Sequence, residues 1–167
     1  MDLEILAYKY AAKAHAGKKH GNRKYIEHPK EVVGVLKNYG YSHDVALIMA
    51  GWLHDTIEDT NVSYDDILKE FGEDVAILVD KVTQREGHNR KTRISLTYPH
   101  TRSSSRAVAL KVADRIANVR HSLSSPEGAG GSFYKMYSKE YPGFREALYK
   151  AGEHEKLWSA LDDLMSA

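Results

Sequence analysis

Apolar residues recur at helical spacing along most of the chain and predict a succession of amphipathic helices. Leu3, Leu6, Ala7, Tyr10, Ala11 and Ala14 mark the first, which Gly17 ends. A basic loop, Lys18-Lys19-His20-Gly21-Asn22-Arg23-Lys24, comes next. Pro29 then fits the first turn of a second helix carrying Val32, Val33, Val35 and Leu36 and stopping at Gly40. Ser42 is placed to cap a third, with Val45, Ile48, Met49, Trp52 and Leu53 facing inward. Ser63 and Asp66 resemble a capping box for a short helix closed by Gly72, and another runs from about Asp74 to Val82. Residues 84–104, rich in Arg, Lys, Thr, Ser and His, break the pattern and predict a short helix within a mobile loop. A strong helix resumes near Ser105 and carries Val108, Ala109, Val112, Ala113, Ile116, Ala117 and Val119. Beyond the Ser- and Gly-rich break at 124–131, residues 133–141 and 142–149 read as two helices split at Pro142. Glu153 to Met165 form a last one, whose Leu157, Trp158, Leu161 and Leu164 could finish the core or serve a dimer contact. There is no repeat and no alternating strand pattern, so the expectation is an all-α fold of six to nine helices in one domain, 1–167.

At 167 residues the chain can bury a substantial core. Hydrophobic content of 42% and charged content of 28% are globular values. A net charge of +1 argues against a nucleic-acid surface, though not against a local basic pocket. With no cysteine, thiolate metal sites and cysteine nucleophiles are excluded, leaving nine histidines and the carboxylates as metal ligands. Met1-Asp2-Leu3-Glu4 lacks the basic start and apolar run of a signal peptide, and no apolar stretch is long enough to span a bilayer. These features lead to the expectation of a cytoplasmic protein with neither membrane nor nucleic-acid partner.

The chemistry concentrates at Leu53-His54-Asp55-Thr56-Ile57-Glu58-Asp59-Thr60. On a continuous helix at about 100° per residue, His54, Asp55, Glu58 and Asp59 would share an arc of about 140°. An acidic helix end running into solvent is the alternative reading. Two further residues tilt the balance: His28, held between Tyr25 and Pro29 at a loop–helix junction, and Asp114, in the apolar run Val112-Ala113-Asp114-Arg115-Ile116. A carboxylate there is costly unless paired or metal-bound. Taken singly, His28 reads as a structural histidine and Asp114 as a partner for Arg115 or Arg120. Taken together, two imidazoles and two carboxylates from separate elements suit a divalent metal. Glu58, one turn from His54, is placed beside the ligands and outside their set.

The combination His28, His54-Asp55 and Asp114 resembles the HD superfamily of metal-dependent phosphohydrolases. Tyr25-Ile26-Glu27-His28-Pro29, residues 53–60 and Lys111-Val112-Ala113-Asp114-Arg115-Ile116-Ala117-Asn118-Val119-Arg120 look more narrowly like the SpoT/Rel hydrolase domain and the stand-alone small alarmone hydrolases, over about residues 3–122. The resemblance implies an all-α fold and removal of the 3′-pyrophosphate from guanosine tetra- and pentaphosphate with Mn²⁺, one ion per chain. It also implies His28, His54, Asp55 and Asp114 as metal ligands, with Glu58 and Asp59 acting on the attacking water. Lys18, Lys19, Tyr25, Lys111, Asn118 and Tyr137 would contact the nucleotide.

Two features depart from that pattern. His121 stands where many long relatives carry a threonine near the ribose, and residues 84–104 match poorly. Another phosphorylated substrate (a dNTP, a nucleoside monophosphate or NADPH) is the alternative, and a non-enzymatic sensing scaffold a third reading. His15, His20, His43, His88, His100 and His154 suggest no second metal site.

Overall fold

A computed structural model describes residues 2–167; Met1, part of the N-terminal reading above, lies outside the described residues. The order is α1 (Leu3–Ala14), β1 (Lys19–His20), β2 (Arg23–Lys24), α2 (Glu27–Asn38), α3 (Val45–Leu53), α4 (Thr56–Asp59), α5 (Tyr64–Phe71), α6 (Glu73–Val82), α7 (Arg90–Arg102), α8 (Ser105–Leu123), a 3₁₀ turn (Gly128–Gly130), α9 (Ser132–Leu148) and α10 (Glu155–Met165). The fold is all-α, apart from one small hairpin. Among the described residues no helix is long and apolar enough to cross a membrane.

Helix α8 is the axis of the fold. Its Ala107, Val108, Leu110, Val112, Ala113, Ile116 and Val119 are buried, because α2, α6, α7, α9 and α10 all pack against it. Small residues set the closest approaches: Ala7 and Ala11 let α1 lie against α3. At Gly51 a Cβ would stand 2.9 Å from Val33 Cγ2, so glycine lets α3 press onto α2. Leu157, Trp158 and Leu161 of α10 are buried in the core, with the Trp158 ring tilted against Phe144 at a centroid distance of 5.7 Å.

Several local expectations are corrected. Asp44, not Ser42, caps α3, accepting from Leu47 N–H at 3.0 Å while its two oxygens also accept from Nε and Nη2 of Arg106. Val45, at the first position of α3, faces outward and is 50% exposed. The basic loop contains a hairpin, Lys19 opposite Lys24 and His20 opposite Arg23, turned at Gly21 with φ +61°. Two residues per strand are too few for alternation to register in a sequence. The last helix begins at Glu155, two residues later than its apolar pattern suggests, after His154 in the left-handed region at φ +55°.

Two proline-containing stretches were misread for different reasons. Residues 132–148 form one helix, with Pro142 inside it. Proline's φ is helical and only one backbone bond is lost, so burial of Tyr134 before it and Phe144 and Leu148 after it keeps the helix continuous. Residues 90–102 form the 13-residue helix α7, longer than the short helix expected within a mobile loop. Its buried residues are Thr97, Tyr98 and Thr101, so hydroxyls flank a single aromatic ring and leave little apolar stripe. Thr97 Oγ1 donates to Arg93 O and accepts from Arg85 N, and Thr101 Oγ1 donates to Lys81 O. Asn89 caps the helix through Thr92 N–H.

Candidate active site

The helix carrying His54 does not continue through Asp59 as the sequence suggested. It ends at Leu53, His54 follows as its C-cap, and Asp55 turns the chain at φ −100°, ψ 0°. Thr56 Oγ1 donates to the freed Leu53 carbonyl, and the single turn α4 restarts. The break keeps the grouping by another route: Asp55, Glu58 and Asp59 each offer a carboxylate oxygen within 4.8 Å of the others.

His54 is oriented from behind. Its Nδ1 donates to the Gly51 carbonyl at 2.8 Å, which leaves Nε2 facing the carboxylates. That Nε2 lies 3.0 Å from Asp55 Oδ2 and 3.4 Å from Asp114 Oδ1. From the start of α2, His28 Nε2 lies 3.0 Å from Asp114 Oδ1 and 3.7 Å from Asp55 Oδ2. Three elements of the fold thus converge here: the α2 start, the α3 end and the middle of α8.

The donor set fits a divalent metal ion. His54 Nε2 is buried without a hydrogen-bond partner, beside two carboxylates and a second imidazole. Burial opposes charge on His54, but Asp55 and Asp114 outweigh it and raise its pKa. Burial likewise opposes ionisation of the two carboxyls, yet His54 holds Asp55 below the usual range, and His28 with His54 does the same for Asp114. Excess negative charge at this point favours a bound cation or a proton. Asp114 does not pair with Arg115 or Arg120; it accepts from Asn118 Nδ2 at 3.0 Å and lies 3.8 Å from Lys111 Nζ.

Around the cluster opens a cavity of about 210 Å³, walled by Tyr25, Glu58, Asp59, Lys111, Asn118 and Tyr137 among others. Glu58 Oε1 accepts the backbone N–H of Gln84 at 2.8 Å. Burial, and then the charge of Asp55, raise the pKa of both Glu58 and Asp59. Tyr25 donates its hydroxyl to Asp55 and stacks on buried His15. Lys18 and Lys19 do not line this cavity. Lys19 lines a neighbouring one of about 550 Å³, which shares His20, Asn118 and Tyr137 with it. Arg23 is committed elsewhere, to Glu31 and His121.

Sequence reasoning missed several wall residues. His20 stacks on His28, with centroids 4.9 Å apart, although the histidines outside the motif suggested no pairing. Burial lowers His15 and His20 to about 4, so both rings are neutral at pH 7. Gln84 and Arg90 reach the cavity from the stretch expected to hold a short helix within a mobile loop. Arg90 grips Glu140 through Nε and Nη2, and Arg115 adds a contact to the same carboxylate at 3.5 Å while lying over Tyr137. No sequence pattern pairs positions 90 and 140.

This geometry is that of a helical HD protein. A family model described as HD domain matches residues 7–131, and the chain belongs to that family. It is similar to guanosine-3′,5′-bis(diphosphate) 3′-pyrophosphohydrolase MESH1 of Xenopus tropicalis, 37% identical over 106 residues, which cover 62% of this chain and 59% of that protein. The Danio rerio protein of the same name is 33% identical over 124 residues, 71% of this chain and 69% of that one. The guanosine-3′,5′-bis(diphosphate) 3′-pyrophosphohydrolase of Aquifex aeolicus is 36% identical over 119 residues, of which the match spans only 17% of its length. A solved structure of a metazoan ortholog of SpoT, described as hydrolyzing ppGpp, superposes with a TM-score of 0.84 at 27% identity, covering 98% of this chain and 93% of that one.

Proposed function

We propose that the chain is a Mn²⁺-dependent hydrolase that removes the 3′-pyrophosphate from guanosine 3′-diphosphate 5′-di- or triphosphate, acting on a free cytoplasmic nucleotide. The observation carrying this reading is Glu58, whose Oε1 accepts Gln84 N–H while the side chain stands with Asp59 beside Asp55 of the His28/His54/Asp55 cluster. The names of the relatives supply the substrate class.

In this account His28, His54, Asp55 and Asp114 hold one metal ion. A divalent cation there would acidify water and polarise a phosphoryl oxygen. Glu58 takes the proton of the attacking water, its raised pKa bringing it nearer the working pH of a general base. Asp59 orients that water together with the Tyr25 hydroxyl, 3.4 Å from its Oδ2. Lys111 meets the pyrophosphate as a point charge, and Asn118 offers its amide from the wall shared by both cavities. Tyr137 and Lys19 border the larger cavity, where the nucleoside would lie.

A chromatographic panel of guanosine 3′-diphosphates, dNTPs, nucleoside monophosphates and NADPH with Mn²⁺ tests the reading. Conversion of the 3′-diphosphates to GDP or GTP is expected. Hydrolysis of dNTPs or NADPH alone would replace the substrate, and turnover of none of them would favour a sensing scaffold.

A further inference from the structure

The larger cavity contains a donor that nothing above assigns. Arg23 Nη2 lies 2.7 Å from His121 Nδ1. A guanidinium only donates, so Nδ1 must accept and the ring's proton must sit on Nε2. Glu31 anchors the other arm of Arg23 at 2.6 Å and keeps the fork in place. The Nε2 edge of His121 lies beside Gly21, where an added Cβ would be 3.2 Å from it. Gly21 and His121 both line the cavity, and among the described residues Nε2 has no hydrogen-bond partner. Glycine at this turn, with φ +61°, leaves that edge uncovered.

We propose that His121 is a specificity-determining residue whose Nε2–H donates to an acceptor on the nucleoside of the substrate, and that Arg23 is the positioning residue that fixes this tautomer. The proposal rests on the reading that the larger cavity takes the nucleoside. Three features of the cavity agree with it. Its volume of about 550 Å³ accommodates a nucleoside, it shares Asn118 and Tyr137 with the metal-facing cavity, and Phe133, 67% exposed, offers an aromatic face for a base. Burial first, and then the Arg23 charge, lower the pKa of His121, which keeps the ring neutral and the donor single. A neutral Nε2–H suits a carbonyl, ring-nitrogen or ribose oxygen acceptor.

The test combines imidazole ¹⁵N NMR with calorimetry of GDP binding to the full chain, and with steady-state kinetics. Wild-type His121 should show a protonated Nε2 and an unprotonated Nδ1, and Arg23→Met should show mixed tautomers. His121→Leu should weaken GDP binding and raise KM about tenfold, as loss of one buried donor does, with little change in kcat. His121→Gln, which keeps an N–H donor, should restore much of the loss, and Arg23→Met should add nothing in the His121→Leu background. A proton on Nδ1 in the wild type would overturn the inference. So would equal GDP affinity in wild type and His121→Leu, or no GDP binding by the wild type. Failure of the hydrolase reading would appear separately, as a wild type that binds GDP through His121 yet leaves the 3′-diphosphates intact.

Discussion

Glu58 Oε1 accepts the backbone N–H of Gln84, tying the turn after the His54-Asp55 pair to the segment that leads into α7. A backbone donor fixes this carboxylate without neutralising it, and the bond leaves its second oxygen available to water. Glu58→Gln should therefore lower kcat by about 10²- to 10⁴-fold, the usual cost of losing a general base, with bound metal unchanged by elemental analysis. Loss of metal in that variant would show Glu58 to be a ligand.

The close approach of α2 and α3 at Gly51 gives a second prediction. Gly51→Ala places a methyl 2.9 Å from Val33 Cγ2 and 3.3 Å from Leu36 Cδ1, and both side chains are buried. Overpacking should cost about 1–3 kcal/mol, more than the helix-propensity gain of alanine, about 1 kcal/mol. Because Gly51 O orients His54, the variant should also bind Mn²⁺ more weakly, read by thermal denaturation and metal titration.

Asp44 joins the cap of α3 to Arg106 on α8, and Arg106 also reaches Asp74. Its hydrogen bond to Arg106 depresses its pKa. The stabilisation is then fully present above the unfolded value, near pH 4, and is lost as pH falls through the lower folded value. Asp44→Ala should cost about 1–2 kcal/mol at neutral pH, mostly through the cap, since the pair is partly exposed. The difference from wild type should shrink in acid, as seen by denaturant unfolding at pH 7 and pH 3.

Much of this was legible in the sequence because the informative residues are local or sit in apolar runs. His28 beside Pro29, His54-Asp55 at the end of an apolar helix, and Asp114 between Ala113 and Arg115 each stood out by context. Their convergence could be argued from chemistry before any distance was known. The helix arc drawn through residues 54–59 was wrong in detail, since Asp55 breaks the helix, yet the carboxylates still meet. What stayed hidden depends on long-range pairing. The α7 helix buries Thr97 and Thr101 through hydroxyl–backbone bonds, which carry no hydrophobic period. The Arg90–Glu140 pair and the Arg23–His121 contact join residues 50 and 98 positions apart.

The most direct test of the central claim is hydrolysis of guanosine 3′-diphosphate 5′-diphosphate by chelator-treated protein, before and after Mn²⁺ is restored, with products resolved by chromatography. The account predicts no turnover before addition, and GDP with pyrophosphate in equal amounts after it. Turnover that is indifferent to metal, or release of orthophosphate in place of pyrophosphate, would contradict it.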